Sequence, residues 1–70
     1  MPASAYTFRY LNADGTFSRV LYMQCAGDRD ALRTAVDHLD ESCAALEISD
    51  GERVVWNGFR ADALAAIRAG

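Results

Sequence analysis

Apolar and polar residues alternate along the first third of the chain, in the pattern of two neighbouring β-strands. In the first run, residues 5–11, the aromatic side chains fall on one face: Tyr6, Phe8 and Tyr10. A second alternating run covers residues 17–25, and Asp14-Gly15 lies between the two. Asp-Gly tolerates the positive φ angles that a tight turn needs, so the pattern predicts an N-terminal β-hairpin.

The length of the turn sets which residues of the two strands face each other. A two-residue loop at Asp14-Gly15 pairs Phe8 with Leu21. A three-residue loop that begins at Ala13, with a bulge at Gly15, pairs Phe8 with Val20 instead. We favour the two-residue loop because it gives the more apolar face, and the second register stays open.

Helical periodicity follows Gly27. Small and aliphatic residues recur there at helical spacing and form one narrow apolar stripe: Ala31, Leu32, Ala35, Val36 and Leu39. Asp28 has the right chemistry for an N-cap, and we expect the helix to end at Ser42. The sequence therefore predicts one amphipathic helix that packs closely on a sheet.

A second hairpin is predicted around Asp50-Gly51, between runs at residues 44–49 and 52–56. A two-residue loop here would pair Leu46 with Val55 and Ile48 with Arg53. Leu46, Ile48 and Val55 would then face the helix. Val54 and Trp56 would point to the opposite face of the sheet, beside Glu47.

The last segment, from Ala61 to Ala69, is rich in alanine and reads as helical, but it is too short to be stable alone in water. The whole pattern predicts one α+β domain over residues 1–70. We expect a two-layer ββαββ core over residues 5–56, with a four-stranded antiparallel or mixed sheet and one packed helix. A short C-terminal helical tail over residues 58–70 completes it.

The second face of the predicted sheet is the most informative surface. One helix covers one face, and a face that meets water should be polar. Here it combines apolar, aromatic and basic side chains, and these form the candidate interface: Leu11, Val20, Tyr22, Val54, Trp56 and Arg9. Apolar patches rimmed by charge mark contacts. Three occupants stay open: the C-terminal segment, a second copy in a C2 dimer, or another partner or ligand.

Composition narrows the classes of partner. The formal net charge is −3 and all seven basic residues are arginine, which argues against general attraction to nucleic acid or anionic lipid. No run of about 18 apolar residues could span a membrane. The segment from Met1 to Tyr6 lacks the basic and apolar regions of a secretion signal, so we expect a cytoplasmic protein.

No residue pattern indicates catalysis, a cofactor or a metal. His38 is the single histidine, and neither Glu41 nor Cys43 lies at a recognised metal-ligand spacing from it. Cys25 and Cys43 bracket the predicted helix, too far apart for a disulfide, and we expect both to be buried as small apolar residues. His38 is too distant from Cys25 to serve it as a base. We therefore expect a protein that is not an enzyme.

Residues 6–56 resemble a group of short bacterial proteins of unassigned activity, frequent in alphaproteobacteria. The resemblance lies in the aromatic first strand, the strand that ends at Cys25, the alanine-rich helix that starts at Asp28, and the Leu46-Glu47-Ile48 strand with its Asp-Gly hairpin. It supports the ββαββ fold and a cytoplasmic location, and it implies no site residue.

The expected function is therefore self-association, as a homodimer, or binding of a small protein partner through the second sheet face. The alternative is a module that binds a small molecule or single-stranded nucleic acid on the same face.

Overall fold

A computed structural model of the chain describes residues 4–69. Residues 1–3 and Gly70 lie outside the described residues. The first three belong to the segment predicted to lack a secretion signal, and Gly70 is the end of the predicted tail. The elements follow in the order β1 (Ser4–Leu11), β2 (Phe17–Cys25), α1 (Asp28–Asp37), β3 (Ala45–Asp50), β4 (Arg53–Phe59) and α2 (Arg60–Ala69). The predicted α+β class, with a ββαββα order, is confirmed.

The four strands form one antiparallel sheet in the order β2-β1-β3-β4. The first hairpin supplies β2 and β1, and the second supplies β3 and β4. Because α1 carries the chain across from edge strand β2 to central strand β3, it packs against both of these strands. The sheet therefore has two inner strands, β1 and β3, and two free edges.

The core lies between the sheet and the helices. It takes the aromatic face of β1, apolar residues of β3 and small residues of both helices: Tyr6, Phe8, Tyr10, Leu46, Ile48, Ala31, Ala35 and Ala63. The alanines let the helix backbones approach the aromatic rings closely. Tyr10 donates a 2.8 Å hydrogen bond from its hydroxyl to the Ala35 carbonyl, and burial raises the pKa of Tyr10 to about 12.

The first hairpin has the favoured register but not the favoured loop. Phe8 pairs with Leu21 and Tyr6 with Met23, as predicted. The turn, however, is the three-residue form. The Gly15 N–H donates to the Asn12 carbonyl at 3.0 Å, and Gly15 has a φ of +86°. The pairing of β1 then skips one residue of β2, between Phe17 and Arg19, and this bulge restores the Phe8–Leu21 register.

The predicted register of the second hairpin is wrong. Asp50 pairs with Arg53, so the two loop residues are Gly51 and Glu52 rather than Asp50 and Gly51. Gly51 supplies the positive φ of +62°, while the Asp50 carboxylate accepts a 3.1 Å bond from Arg53. A bulge at Val55 then shifts the pairing of β3 with β4 by one more residue.

As a result, Leu46 faces Gly58 and Ile48 faces Trp56 across the strands. The sides predicted for Leu46, Ile48 and Val55 are nevertheless right, because Leu46 and Ile48 belong to the core and Val55 packs against it.

Helix α1 is shorter than predicted and is capped differently. Gly27, in an extended conformation, is its N-cap, and Asp28 is the first helical residue. The helix ends at Asp37 instead of Ser42. The Asp40 carboxylate accepts the backbone N–H groups of Ser42 and Cys43 at 3.0 Å each, which turns the chain out of the helix.

Neither helix within residues 4–69 is long and apolar enough to cross a membrane. Cys25 and Cys43 are free thiols, as their spacing predicted, and both are buried, as expected of small apolar residues.

Candidate functional site: the open face of the sheet

The C-terminal helix lies on the same side of the sheet as α1. Helix α2 contacts α1 and β4, Ala63 is part of the core, and Ala66 and Ile67 pack against it. The possibility that this segment covers the second sheet face is therefore excluded by the structure. Within residues 4–69, both helices cover one face and leave the other open.

The open face carries three rows of side chains, each crossing all four strands from β2 to β4. The rows are Tyr22, Thr7, Ser49 and Val54; then Val20, Arg9, Glu47 and Asn57; then Phe17, Leu11, Ala45 and Phe59. We call these twelve residues the open face.

Large apolar side chains that remain exposed in the described residues are confined to the open face. They are Tyr22 (78 % exposed), Phe59 (69 %), Phe17 (63 %), Val54 and Val20. All five lie on the outer strands, so they form two apolar margins with the inner strands between them. Exposed aromatic residues gathered on one face indicate a contact surface.

The centre of the open face is polar and internally paired. Arg9 donates from its guanidinium to Glu47 at 3.2 Å and to the Ser49 hydroxyl at 3.0 Å. Ser49 is buried beneath this pair, whereas the Arg9 and Glu47 side chains each keep about a third of their surface exposed. The face therefore presents one positive and one negative group, side by side on β1 and β3.

Five of the six predicted interface residues share the open face: Leu11, Val20, Tyr22, Val54 and Arg9. The placement of Trp56 is wrong. The bulge at Val55 turns Trp56 to the helix side, opposite Ile48, where it packs against the core. Its indole lies over Gly58, so close that a Cβ at Gly58 would stand 2.9 Å from Trp56 Cη2.

Two prominent residues of the face were missed by the sequence analysis. Strict alternation from Leu21 would put Phe17 on the core face, and the β2 bulge moves it to the opposite side. Phe59 falls within the tail predicted over residues 58–70, because Asn57-Gly58 has the residues of a turn. Those residues instead continue β4, and Phe59 pairs with Ala45. Extending the strand through Gly58 would assign Phe59 to β4, but only the bulge at Val55 puts it on the open face.

The residues screened for catalysis lie apart from one another. His38 is exposed at the end of α1, with Nδ1 2.9 Å from the Thr34 carbonyl oxygen. Cys25 precedes the same helix, about 15 Å away along its axis. Burial raises the pKa of the Cys25 thiol, which disfavours the thiolate. Within residues 4–69, no three His, Cys, Asp or Glu side chains converge to hold a metal, and no pocket is found.

A second polar cluster ties the second hairpin to the start of α1. Arg53 donates two 2.9 Å bonds to the two carboxylate oxygens of Asp28, and the Tyr6 hydroxyl donates a third of the same length. The Arg53 guanidinium and the Tyr6 hydroxyl lower the pKa of Asp28 to about 2. Both carboxylate oxygens of Asp28 accept hydrogen bonds from within the chain, so we interpret this cluster as a structural clamp.

Comparisons of the chain with protein-family models, with curated proteins and with solved structures found no match. The case for function therefore rests on the open face itself.

Proposed function

We propose that the protein is a small non-enzymatic module that self-associates, forming a homodimer through its open face. The observation that carries the proposal is that Phe17, Tyr22 and Phe59 are all more than half exposed on one side of the sheet. Burying such side chains against a second copy removes apolar surface from water. The helices would then lie on the outside of a sandwich of two sheets.

The size of the open face suits a protein contact. An aromatic side chain offers roughly 150–250 Å² for burial, so the three aromatic residues and two valines expose on the order of 500 Å². The partly exposed Arg9 and Glu47, together with their neighbours, bring the face near the ~800 Å² that each partner buries in a standard interface.

Its charge favours a protein over a nucleic acid. Exposed aromatic residues on a sheet also stack single-stranded bases, which makes base stacking the second candidate function. Phosphate binding requires free positive charge, but Glu47 neutralises Arg9, and the whole chain carries −3. An apolar contact with a polar centre fits the face better.

We place this activity in the cytoplasm. The support is chemical: two buried cysteines stay as free thiols, the form that a reducing compartment maintains.

Light scattering across a wide concentration range tests the proposal. We expect the wild type to reach twice the 7.6 kDa chain mass. In Tyr22→Asp, a charge replaces the most exposed of the large apolar side chains on the face, and the mass should fall to that of one chain. The matched control is Ala65→Asp, which adds the same charge to an exposed position of α2, away from the open face, and should remain a dimer.

Circular dichroism establishes that both variants fold. A wild type that stays monomeric throughout the range, or two variants that behave alike, would contradict the proposal. A monomer that binds a single-stranded oligonucleotide, with affinity falling steeply as salt rises, would support base stacking instead.

A further inference from the structure

The layout of the open face is self-complementary, and this property selects one way for two copies to meet. Rotation about a line that runs parallel to the strands, midway between β1 and β3, exchanges β1 with β3 and β2 with β4. Resting on the self-association proposed above, we infer that a second copy docks face to face about this two-fold axis.

Charge distinguishes this axis from its main competitor. Because Arg9 and Glu47 are cross-strand partners in the middle row, the strand-parallel axis places Arg9 over Glu47 of the second copy, and the reverse. An axis that crosses the strands at that row would instead place Arg9 over Arg9 and Glu47 over Glu47. Like charges that face each other in a buried interface are strongly disfavoured.

The apolar margins favour the same strand-parallel axis. Phe17 and Phe59 occupy the two ends of one row, on β2 and β4. The strand-parallel axis brings Phe17 of one copy over Phe59 of the other, twice in each dimer, and aromatic pairs of this kind gain more than their buried area. Tyr22 and Val54 occupy the two ends of another row, and the same axis places Tyr22 over Val54 of the second copy. The charged pairs are thus flanked by apolar contacts that exclude water.

The resulting assembly has two sheets packed with their strands aligned and about 10 Å apart, with four helices outside. In this geometry the Arg9–Glu47 pair has two roles. Within one chain it neutralises the centre of the face, and between chains it sets the orientation of the second copy.

A charge-exchange experiment tests whether the charged centres of the two copies lie over each other, and the ring contacts of Phe17 and Phe59 then decide between the two axes. Arg9→Glu makes the centre of the face doubly negative, and Glu47→Arg makes it doubly positive. Each variant alone should associate at least about tenfold more weakly than the wild type, because equal charges meet across the interface. Mixing the two variants should restore association as a heterodimer, which native mass spectrometry identifies by its mass.

Isotope-filtered NMR on a mixture of labelled and unlabelled wild type gives a second readout that needs no substitution. Phe17 and Phe59 of one chain lie three strand spacings apart, about 14 Å, so a contact between their rings must come from two copies. We expect Phe17–Phe59 contacts between copies. The competing axis would produce Phe17–Tyr22 contacts instead.

The outcomes separate the two proposals. A wild type that is monomeric at every concentration overturns both. A wild-type dimer that shows Phe17–Tyr22 contacts between copies, or whose charge variants gain nothing on mixing, overturns the axis and leaves self-association standing.

Discussion

At the scale of single residues, Gly58 is packed closely against the indole of Trp56. A Cβ built at Gly58 would stand 2.9 Å from Trp56 Cη2, and its φ of +159° lies at the limit of what other residues adopt. We therefore expect Gly58→Ala to lower the free energy of unfolding by about 1–3 kcal/mol, because the indole must leave its position against the core. Urea denaturation, followed by circular dichroism, measures the loss.

A double-mutant cycle isolates the contact from the backbone effect. In a Trp56→Leu background the colliding ring atom is gone, so Gly58→Ala should cost clearly less than in the wild type. Equal costs in the two backgrounds would mean that the indole does not restrict Gly58.

The clamp between Asp28 and Arg53 predicts a specific loss of stability in acid. The Arg53 guanidinium holds the folded pKa of Asp28 at about 2, below its ordinary value of 3.8. Since this pKa is lowered in the folded state, the contribution is complete above pH 3.8 and disappears as the pH falls toward 2. The difference in unfolding free energy between the wild type and Asp28→Asn should therefore be constant near neutrality and shrink over that window.

Hydrogen bonds from Thr16 and Ser42 also lower the pKa values of Asp14 and Asp40, so Asp28→Asn still loses some stability in acid. Only the difference between the wild type and Asp28→Asn therefore reports on Asp28. Asp62→Asn, at an exposed position in the first turn of α2, is the matched control and should follow the wild-type pH profile. If the stability of Asp28→Asn also follows the wild-type pH profile, the clamp does not stabilise the fold.

At the scale of elements, the side of the sheet on which α2 docks decides whether the second face is open. Ala63 is completely buried, whereas Ala65 on the same helix is exposed. We expect Ala63→Leu to cost about 1–3 kcal/mol by overpacking the space between α2 and the core. Ala65→Leu should stay within about 0.5 kcal/mol of the wild type. Thermal unfolding measures both, and equal effects would contradict the docking of α2.

Element types could be predicted from the sequence because alternation and helical spacing are local signals. The aromatic face of β1 and the apolar stripe of α1 both fall where the pattern puts them. The bulges could not be predicted. Each inserts one residue into a strand without a turn signal of its own, and the strand regains its alignment only through cross-strand packing. One bulge moved Phe17 onto the open face, and the other moved Trp56 off it.

The end of α1 was missed for a different reason. Leu39 continues the apolar stripe past Asp37, so periodicity alone extends the helix. The competing signal was the Asx turn at Asp40, whose carboxylate replaces helical hydrogen bonding for the next residues. Arg19 reinforces this end by donating to the His38 carbonyl, a contact between elements that are distant in sequence.

At the scale of the whole molecule, most of the candidate site could be anticipated, because a mixed second face follows from β1 and β2 alone. Leu11, Val20, Tyr22 and Arg9 needed only alternation and one hairpin register. Self-complementarity, in contrast, needed the strand order. Only with β1 and β3 adjacent at the centre do Arg9 and Glu47 form a pair that a two-fold axis can exchange.

The same face links association to stability. A 70-residue chain buries only about 60 % of its unfolded surface, so its isolated fold is marginal, and a second copy adds the burial that it lacks. If folding and association are coupled, each tenfold increase in protein concentration adds about 0.7 kcal/mol per chain, half of the 1.4 kcal/mol that a tenfold change represents for the dimer. For a domain of this size, that gain raises the melting temperature by roughly 3–5 °C.

Calorimetry at a series of concentrations should therefore show the wild-type midpoint climbing steadily. Tyr22→Asp, whose open face carries an added charge, should melt lower and at one temperature throughout the series, because its unfolding no longer includes dissociation. Ala65→Asp should climb in parallel with the wild type, since its added charge lies on α2, away from the open face. A wild-type midpoint that does not move with concentration would mean that association does not contribute to the stability of the fold. The apolar margins of the open face would then need a partner other than a second copy.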